Sequence, residues 1–361
     1  MSPRQRAFIR EIAMKKIGFG IIGAGLWGRA HAEVYSTHPM AALTGVCDTD
    51  LEKARALAGQ YGSPPVYANF EALMEDPAVD AVAVVTPDFA HCAPILAAAR
   101  AGKDVLVEKP LATTAEDLER IVDAVSRSGV RCMVDFHNRW SPPIVVARQS
   151  IAAGELGRLV SAYVRLNDTI HVPTRMLSWA ARSSILWFLG SHSVDTLRFL
   201  SGDEVERVYT VVRSGVLNAR GIEVPDIYQA ILEFRSGMIA TTENNWIIPD
   251  TNPSVNDFKI NVLGSKGMLS LDLTHSQLIE KYLEKGAHHP DVLVAPCIHG
   301  KRPGFAYESI RTFVDCVAQD KPLPVTLEDG VRVSRVILAM FESAEKREPV
   351  TIQGDGPRQT V

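Results

Sequence analysis

Cysteine is scarce and scattered. The five residues (Cys47, Cys92, Cys132, Cys297 and Cys316) are odd in number and never form a CxxC pair. That excludes a disulfide framework and the paired-thiolate spacing of a zinc site, and it fits free thiols in a reducing compartment. An excess of one charge is also missing. A formal net charge of -4 offers no basic surface to nucleic acid or to an anionic membrane. No apolar run reaches the length of a membrane span. The opening MSPRQRAFIREIA has neither the apolar stretch nor the small-residue cleavage site of a signal peptide. A cytoplasmic protein is expected. Met14, followed by KKIGFGIIG, reads as a natural start, which makes residues 1–14 an N-terminal extension. Internal repeats and low-complexity segments are absent too.

What is present is enough apolar material, 46% of 361 residues, for two domains with their own cores. Up to about residue 137, short Val/Ile/Ala runs (KIGFGII, AALTGVCD, AVAVVTP, DVLVEK, RCMVDF) alternate with helical patterns. Repeated βα units with near-continuous apolar strands predict a parallel sheet covered on both faces. After Ser141-Pro142, a helix-start signal, the rhythm changes. RLVSAYVRL, ERVYTVVRS, IYQAILEF, MIATTENNW, FKINVLG and MLSLDL alternate as half-buried strands, interrupted early by one helical stretch, ILWFLGSHSVDTLRFL. The expectation is an α/β dinucleotide-binding domain over 15–137 and an α+β domain over 138–361, the latter with a large, mostly antiparallel open sheet.

Gly23-Ala24-Gly25-Leu26-Trp27-Gly28 is a GxGxxG run between a strand and a helix, and Asp48 ends the next strand. In that setting Gly23 allows the tight turn, and Gly25 lets backbone approach a pyrophosphate. Gly28 permits close helix packing, and the helix N-terminus offers amide donors. Asp48 can accept from both adenosine ribose hydroxyls and would repel a 2'-phosphate, so NAD is expected, with NADP second. Thr86 and Pro87 end another parallel strand at the edge where ligands collect. Leu26 and His91 complete the cofactor-facing set, while Trp27 either shields the cofactor or packs. His288, His289 and His299 lack carboxylates at metal spacing and read as solvated, so no metal is expected.

VEKPLATTAED places Glu108 and Lys109 at the same edge, one βα unit later. An ammonium there can bond an alcohol or carbonyl oxygen, and partial burial would bring its pKa toward a working value. Glu108 could orient Lys109 or bond a ribose. Taken in isolation, a surface ion pair in a turn is the better explanation of these residues. In order along the chain, GAGLWGRAH, VVTPDFAH, VLVEKPLATTAED, DFHNRWSP, LGSHSVD and the tail KPLPVTLEDGVRVSRVILAMFESAEKREPV resemble the glucose–fructose oxidoreductase/inositol dehydrogenase/MocA (Gfo/Idh/MocA) family from Lys16 onward. The resemblance implies NAD(P)-dependent hydride transfer to or from a carbohydrate, polyol or related cyclic hydroxy compound. It puts Lys109 at the reacting oxygen, and it implies a homo-dimer or homo-tetramer built through the C-terminal sheet.

One departure matters. Polyol dehydrogenases of the family usually carry D-x-x-x-H-x-x-D on the second-domain helix. Here Phe188 stands at the first acid, while His192 and Asp195 match the later positions. Phe188 cannot accept a bond from a hydroxyl, although a neutral His192 could still take a proton. In DFHNRWSP, Asp135 sits where many relatives have glycine and His137 where many have asparagine. His137, Arg139, Trp179 and Arg182 join Lys109 and His192 as substrate-binding candidates, and Glu108, Lys109 and His137 are cofactor-binding candidates as well. Two alternatives stay open beside simple oxidoreduction: a non-catalytic NAD-binding sensor, and NAD-assisted elimination or glycoside cleavage.

Overall fold

The computed structural model describes residues 16–274, 279–284 and 286–352. The expected extension over residues 1–14 lies outside them. In chain order the first unit runs β1 (Ile17–Ile22), α1 (Leu26–Thr37), β2 (Ala41–Cys47), α2 (Leu51–Gln60), β3 (Val66–Tyr67), α3 (Phe70–Glu75) and β4 (Ala81–Val84). It continues with α4 (Cys92–Arg100), β5 (Asp104–Glu108), α5 (Ala115–Ser128) and β6 (Cys132–Asp135). Local chemistry sets the boundaries. Thr114 caps α5 by accepting from Asp117 N, acids fill its first turn, and Gly129 ends it in the left-handed conformation. β4 is apolar throughout and β5 in its three central residues, Val105–Val107, all buried, because helices cover both faces of the sheet.

These strands form one parallel sheet in the order β3-β2-β1-β4-β5-β6. The order reverses between β1 and β4, so a crevice opens at their carboxyl ends. The glycine loop, Thr86 and Lys109 all lie on that edge.

The second unit follows as α6 (Pro142–Ala152), β7 (Leu159–Asp168), α7 (Ser191–Ser201), β8 (Val205–Arg213), β9 (Ile227–Phe234), β10 (Ile239–Asn245), β11 (Asn256–Gly264) and β12 (Met268–Asp272). After a small hairpin, β13 (Lys281–Leu283) and β14 (Gly286–His288), come α8 (Phe305–Gln319), α9 (Leu327–Lys346) and β15 (Val350–Thr351). Its sheet runs β12-β11-β7-β10-β9-β8-β15 and is antiparallel except for the β7–β10 pair. Helices α7 and α9 pack on this sheet. Tyr209, Val211, Ile231, Ile239 and Leu263 are exposed on its strands, alternating with buried residues, and Met268 is exposed on β12.

Two features differ from expectation. The stretch read as one helix opens with a wide π turn, Leu186–Gly190, before α7 begins. Ser191 Oγ donates to Trp187 O at 2.8 Å, a back-bond of the kind that bends helices. The domain boundary is also crossed: α8, from the far end of the chain, packs on the first sheet. Phe313 meets Phe19 edge-on at 6.2 Å between ring centroids, and Arg131 donates to Cys316 O at 3.1 Å. The apolar face of β1 needs a cover that the first 137 residues do not supply.

Candidate active site

The glycine loop has the shape of a dinucleotide cradle. Gly23 holds φ +113°, and a Cβ on Gly28 would stand 2.1 Å from Gly23 O, so neither position admits a side chain without movement. Gly25 is the N-cap of α1 and makes no side-chain cap bond, and a Cβ there would meet nothing within 4 Å. The first amides of α1 are thus reachable by an anion. Asp48 also ties the loop down: Ala24 N donates to its Oδ2 at 2.7 Å and Asp50 N to its Oδ1 at 2.8 Å. Leu26 is exposed beside the loop. Trp27 is half-buried, with its ring 5.2 Å from that of His137.

Beyond β4, Thr86 Oγ1 is buried without a hydrogen-bond partner, at the loop that also carries Pro87. His91 does something other than face the crevice. Its Nδ1 lies 2.7 Å from Pro110 O and its Nε2 3.0 Å from Thr86 O, so the ring sits between the two strand-end loops and, when neutral, donates to one of these carbonyls. Asp88 accepts from Ser183 Oγ of the second domain, and Phe89 receives the Arg182 guanidinium 3.9 Å above its ring. Trp179 packs edge-on against both Phe89 and Phe188. The loop before the π turn therefore lands on the crevice edge with Trp179 and Arg182.

Lys109, joined to Pro110 by a cis peptide, reaches across the domain junction. Its Nζ donates to Phe188 O at 2.7 Å and lies 4.2 Å from the Phe188 ring centroid. Burial lowers its pKa, against the opposing pull of Glu108, Asp88 and Asp168. Glu108 is not at the crevice surface. Its carboxyl lies among His31 and Asp135 ligand atoms, all within 4.8 Å of one another and buried. Glu108 and Asp135 are register partners on β5 and β6. Burial raises Glu108 well above the carboxylate range, with the Asp135 charge adding to the effect, and burial raises Asp135 to about 7. This placement suits orienting Lys109 rather than bonding a ribose.

His192 and His137 come together from the two domains, with ring centroids 4.7 Å apart. Both are buried and each has an unpartnered Nδ1. Burial pushes His137 down to about 3 and His192 well below its usual value, and the Lys109 ammonium acts in the same direction on both. Both imidazoles are therefore neutral near pH 7. Arg139 is committed elsewhere. It grips Asp195 through Nη2 at 2.6 Å and Nε at 3.0 Å, and it also meets Asp329 at 3.0 Å. With Arg198, Glu204 and Arg332 these groups form an ion network holding α7 and α9, a junction role rather than a substrate contact. His288 and His299 are exposed as expected. His289 is instead partly buried, with its Nδ1 3.4 Å from Ser254 Oγ.

Sequence reasoning missed Asp168, which is 1% exposed at the end of β7 and close enough for Lys109 to act on its ionisation. The signal was available: Ala162, Val164 and Leu166 face inward, and Asp168 falls in the same phase.

An NAD-type cradle at a strand-order reversal, with a second domain closing over it, defines a two-domain dinucleotide-dependent enzyme class. Residues 17–136 match the oxidoreductase family with an NAD-binding Rossmann fold, and residues 144–270 match the GFO/IDH/MocA C-terminal domain. The chain belongs to the Gfo/Idh/MocA oxidoreductase family, and its first domain is an NAD-binding Rossmann domain. It is 31% identical over 227 residues to 1,5-anhydro-D-fructose reductase of Ensifer adhaerens, covering 62% of this chain and 67% of that protein. It is 27% identical to scyllo-inositol 2-dehydrogenase (NAD(+)) of Bacillus subtilis (strain 168), covering 92% and 95%. The solved oxidoreductase domain protein from Kribbella flavida matches with TM-score 0.80 and 27% identity, covering 94% of this chain and 100% of that one. Among the described residues no helix is long and apolar enough to cross a membrane.

Proposed function

We propose that the protein moves hydride between NAD and a ring carbon of a sugar, polyol or related cyclic hydroxy compound, with Lys109 and His192 at the reacting oxygen. The observation that carries this reading is the reach of Lys109 to the carbonyl of Phe188, one turn before His192. In this reading an ammonium from one domain and an imidazole from the other, which feels that charge, act on the same oxygen. The glycine loop, with its open space above Gly25 and the Asp48 anchor, fits the cofactor. Bound NAD would take or return the hydride at its nicotinamide ring.

The chain's own residues handle the oxygen. In the oxidative direction the alcohol proton leaves toward Lys109 or His192 as the C–H bond gives up its electron pair. Burial has already lowered the proton affinity of both groups, so Lys109 can serve as base when neutral and as hydrogen-bond donor when charged. Glu108 behind Lys109 steadies its position. Relatives named as an anhydrofructose reductase and an inositol dehydrogenase support the substrate class. The exposed apolar strand face supports self-association through the second sheet, as a homo-dimer or homo-tetramer.

The test is absorbance of NADH across cyclic polyols, aldoses, glycosides and their keto forms, with NADP as the paired cofactor. Turnover with at least one polyol or sugar, lost in Lys109→Ala, is the expected result. The same Lys109–Phe188 contact also favours a second reading, an NAD-binding sensor in which Phe188 keeps the ammonium occupied. Stoichiometric NAD binding without any NADH signal across the panel would select it.

A further inference from the structure

The second domain meets the first at two places of different build. Along α8 and α9 the contact is broad and interlocked. Phe313 lies edge-on to Phe19, Arg131 donates to Cys316 O, and α9 packs on α5 and β6. Gly330 of α9 lies so close to β6 that a Cβ would stand 2.6 Å from the Val134 side chain. At the crevice edge the contact is a loop, residues 172–183, between β7 and the π turn. Its main-chain hydrogen bonds are local: Thr174 N to Ile170 O, Leu177 N to Val172 O, Ala180 N to Leu177 O and Ser183 N to Ala180 O. Thr174, Arg175, Met176 and Arg182 are exposed on it. The loop holds the first domain with side chains. Ser183 Oγ donates to the buried Asp88, Arg182 lies over the Phe89 ring, and Trp179 meets Phe89 edge-on. Trp179 also meets Phe188, whose carbonyl and ring both contact the Lys109 ammonium. Asp88 and Phe89 follow Thr86-Pro87 beyond the tip of β4, and Lys109 stands at the tip of β5. The loop therefore spans two adjacent strand tips on the ligand edge of the sheet.

A self-contained loop, fastened by one side-chain hydrogen bond and a few ring contacts, opens at far lower cost than an interlocked helix face. We infer that residues 172–183 are a strap across the crevice beside Lys109, with Ser183 as its catch on Asp88. NAD enters and leaves as this strap lifts, while the α8 and α9 contacts stay packed. Lifting carries Trp179 off Phe89 and frees the flank of Phe188, the residue that holds the Lys109 ammonium. The inference uses the NAD-binding domain and not the hydride-transfer reading, since a sensor would need the same gate.

Ser183→Ala removes the catch. Stopped-flow quenching of tryptophan fluorescence on the full chain gives the NAD association and dissociation rates separately. A gate slows entry and exit alike. The variant should therefore raise both rates by roughly tenfold, the size expected when Asp88 loses its donor in the closed form, with the Kd kept within about twofold. Ser183→Thr keeps the hydroxyl and should return both rates toward wild type. The urea midpoint of Ser183→Ala should match that of the wild type, because only the strap has been loosened. Association and dissociation rates within about twofold of wild type in Ser183→Ala overturn the strap. So does a rise in dissociation alone that weakens the Kd, which would mark Ser183 as a direct NAD contact. Faster exchange accompanied by a clear fall in the urea midpoint also overturns it, since the whole domain junction would then be looser. No turnover is read, so a failure of the hydride-transfer reading leaves this result intact.

Discussion

Asp135→Asn isolates the acid pair beneath Lys109. In the folded protein Asp135 is completely buried opposite Glu108, and its pKa rises from 3.8 to about 7. A raised acid binds a proton more tightly folded than unfolded. Its contribution is therefore intact below the unfolded value, and stability falls as pH climbs from about 4 to about 7. Above that window the penalty is constant. A shift of about three units corresponds to a ceiling of about 4 kcal/mol. Asn is neutral at every pH and of the same shape, so the variant lacks this slope, and Glu108 also loses its like-charged neighbour. The free energy of unfolding in urea, measured without cofactor at about pH 4.5, 6 and 8, should show the variant gaining on the wild type as pH rises. The gain should approach a few kcal/mol at the alkaline end. A difference between the two proteins that stays flat across the window would refute the burial of Asp135 as the source.

Lys109→Ala should lower kcat by roughly a thousandfold while the NAD Kd, read by fluorescence quenching, changes less than about twofold. Retention of most turnover would remove Lys109 from the chemistry. Asp48→Ala should narrow the preference for NAD over NADP, measured as the ratio of their Kd values, and it should also weaken NAD because the Ala24 amide loses its acceptor. An unchanged ratio would count against the ribose contact. Gly28→Ala forces a Cβ to within 2.1 Å of Gly23 O, so α1 must move and NAD binding should weaken by roughly tenfold or more by titration calorimetry. Charging the open strand face with Ile231→Asp and Ile239→Asp should shift sedimentation toward the monomer with NAD binding kept. An unchanged sedimentation coefficient would count against the proposed self-association through this face.

The Rossmann half could be read almost element by element because its determinants are local: apolar strands, glycine turns and caps recur every few residues. The strands of the second half were found by their alternation, although the pairing of β7 with β10 in parallel was not. What escaped were consequences of long-range packing. Nothing near Arg139 in sequence announces that Asp195 and Asp329 will claim its guanidinium. Nothing near His91 announces that two carbonyls from separate loops will occupy its ring. Asp168 is legible only in the phase of β7, which turns it inward with Ala162, Val164 and Leu166. Phe188 stood out in the sequence for the carboxylate it lacks, and in the structure it is its carbonyl that Lys109 contacts.

The return of α8 to the first sheet has a bearing on synthesis. Phe19 leaves the ribosome almost three hundred residues before its edge-on neighbour Phe313. The nucleotide-binding unit therefore cannot seal itself as it is translated. It waits with one flank bare until the second unit is nearly complete, so truncation before α8 should yield a sticky, chaperone-dependent fragment rather than a miniature cofactor binder.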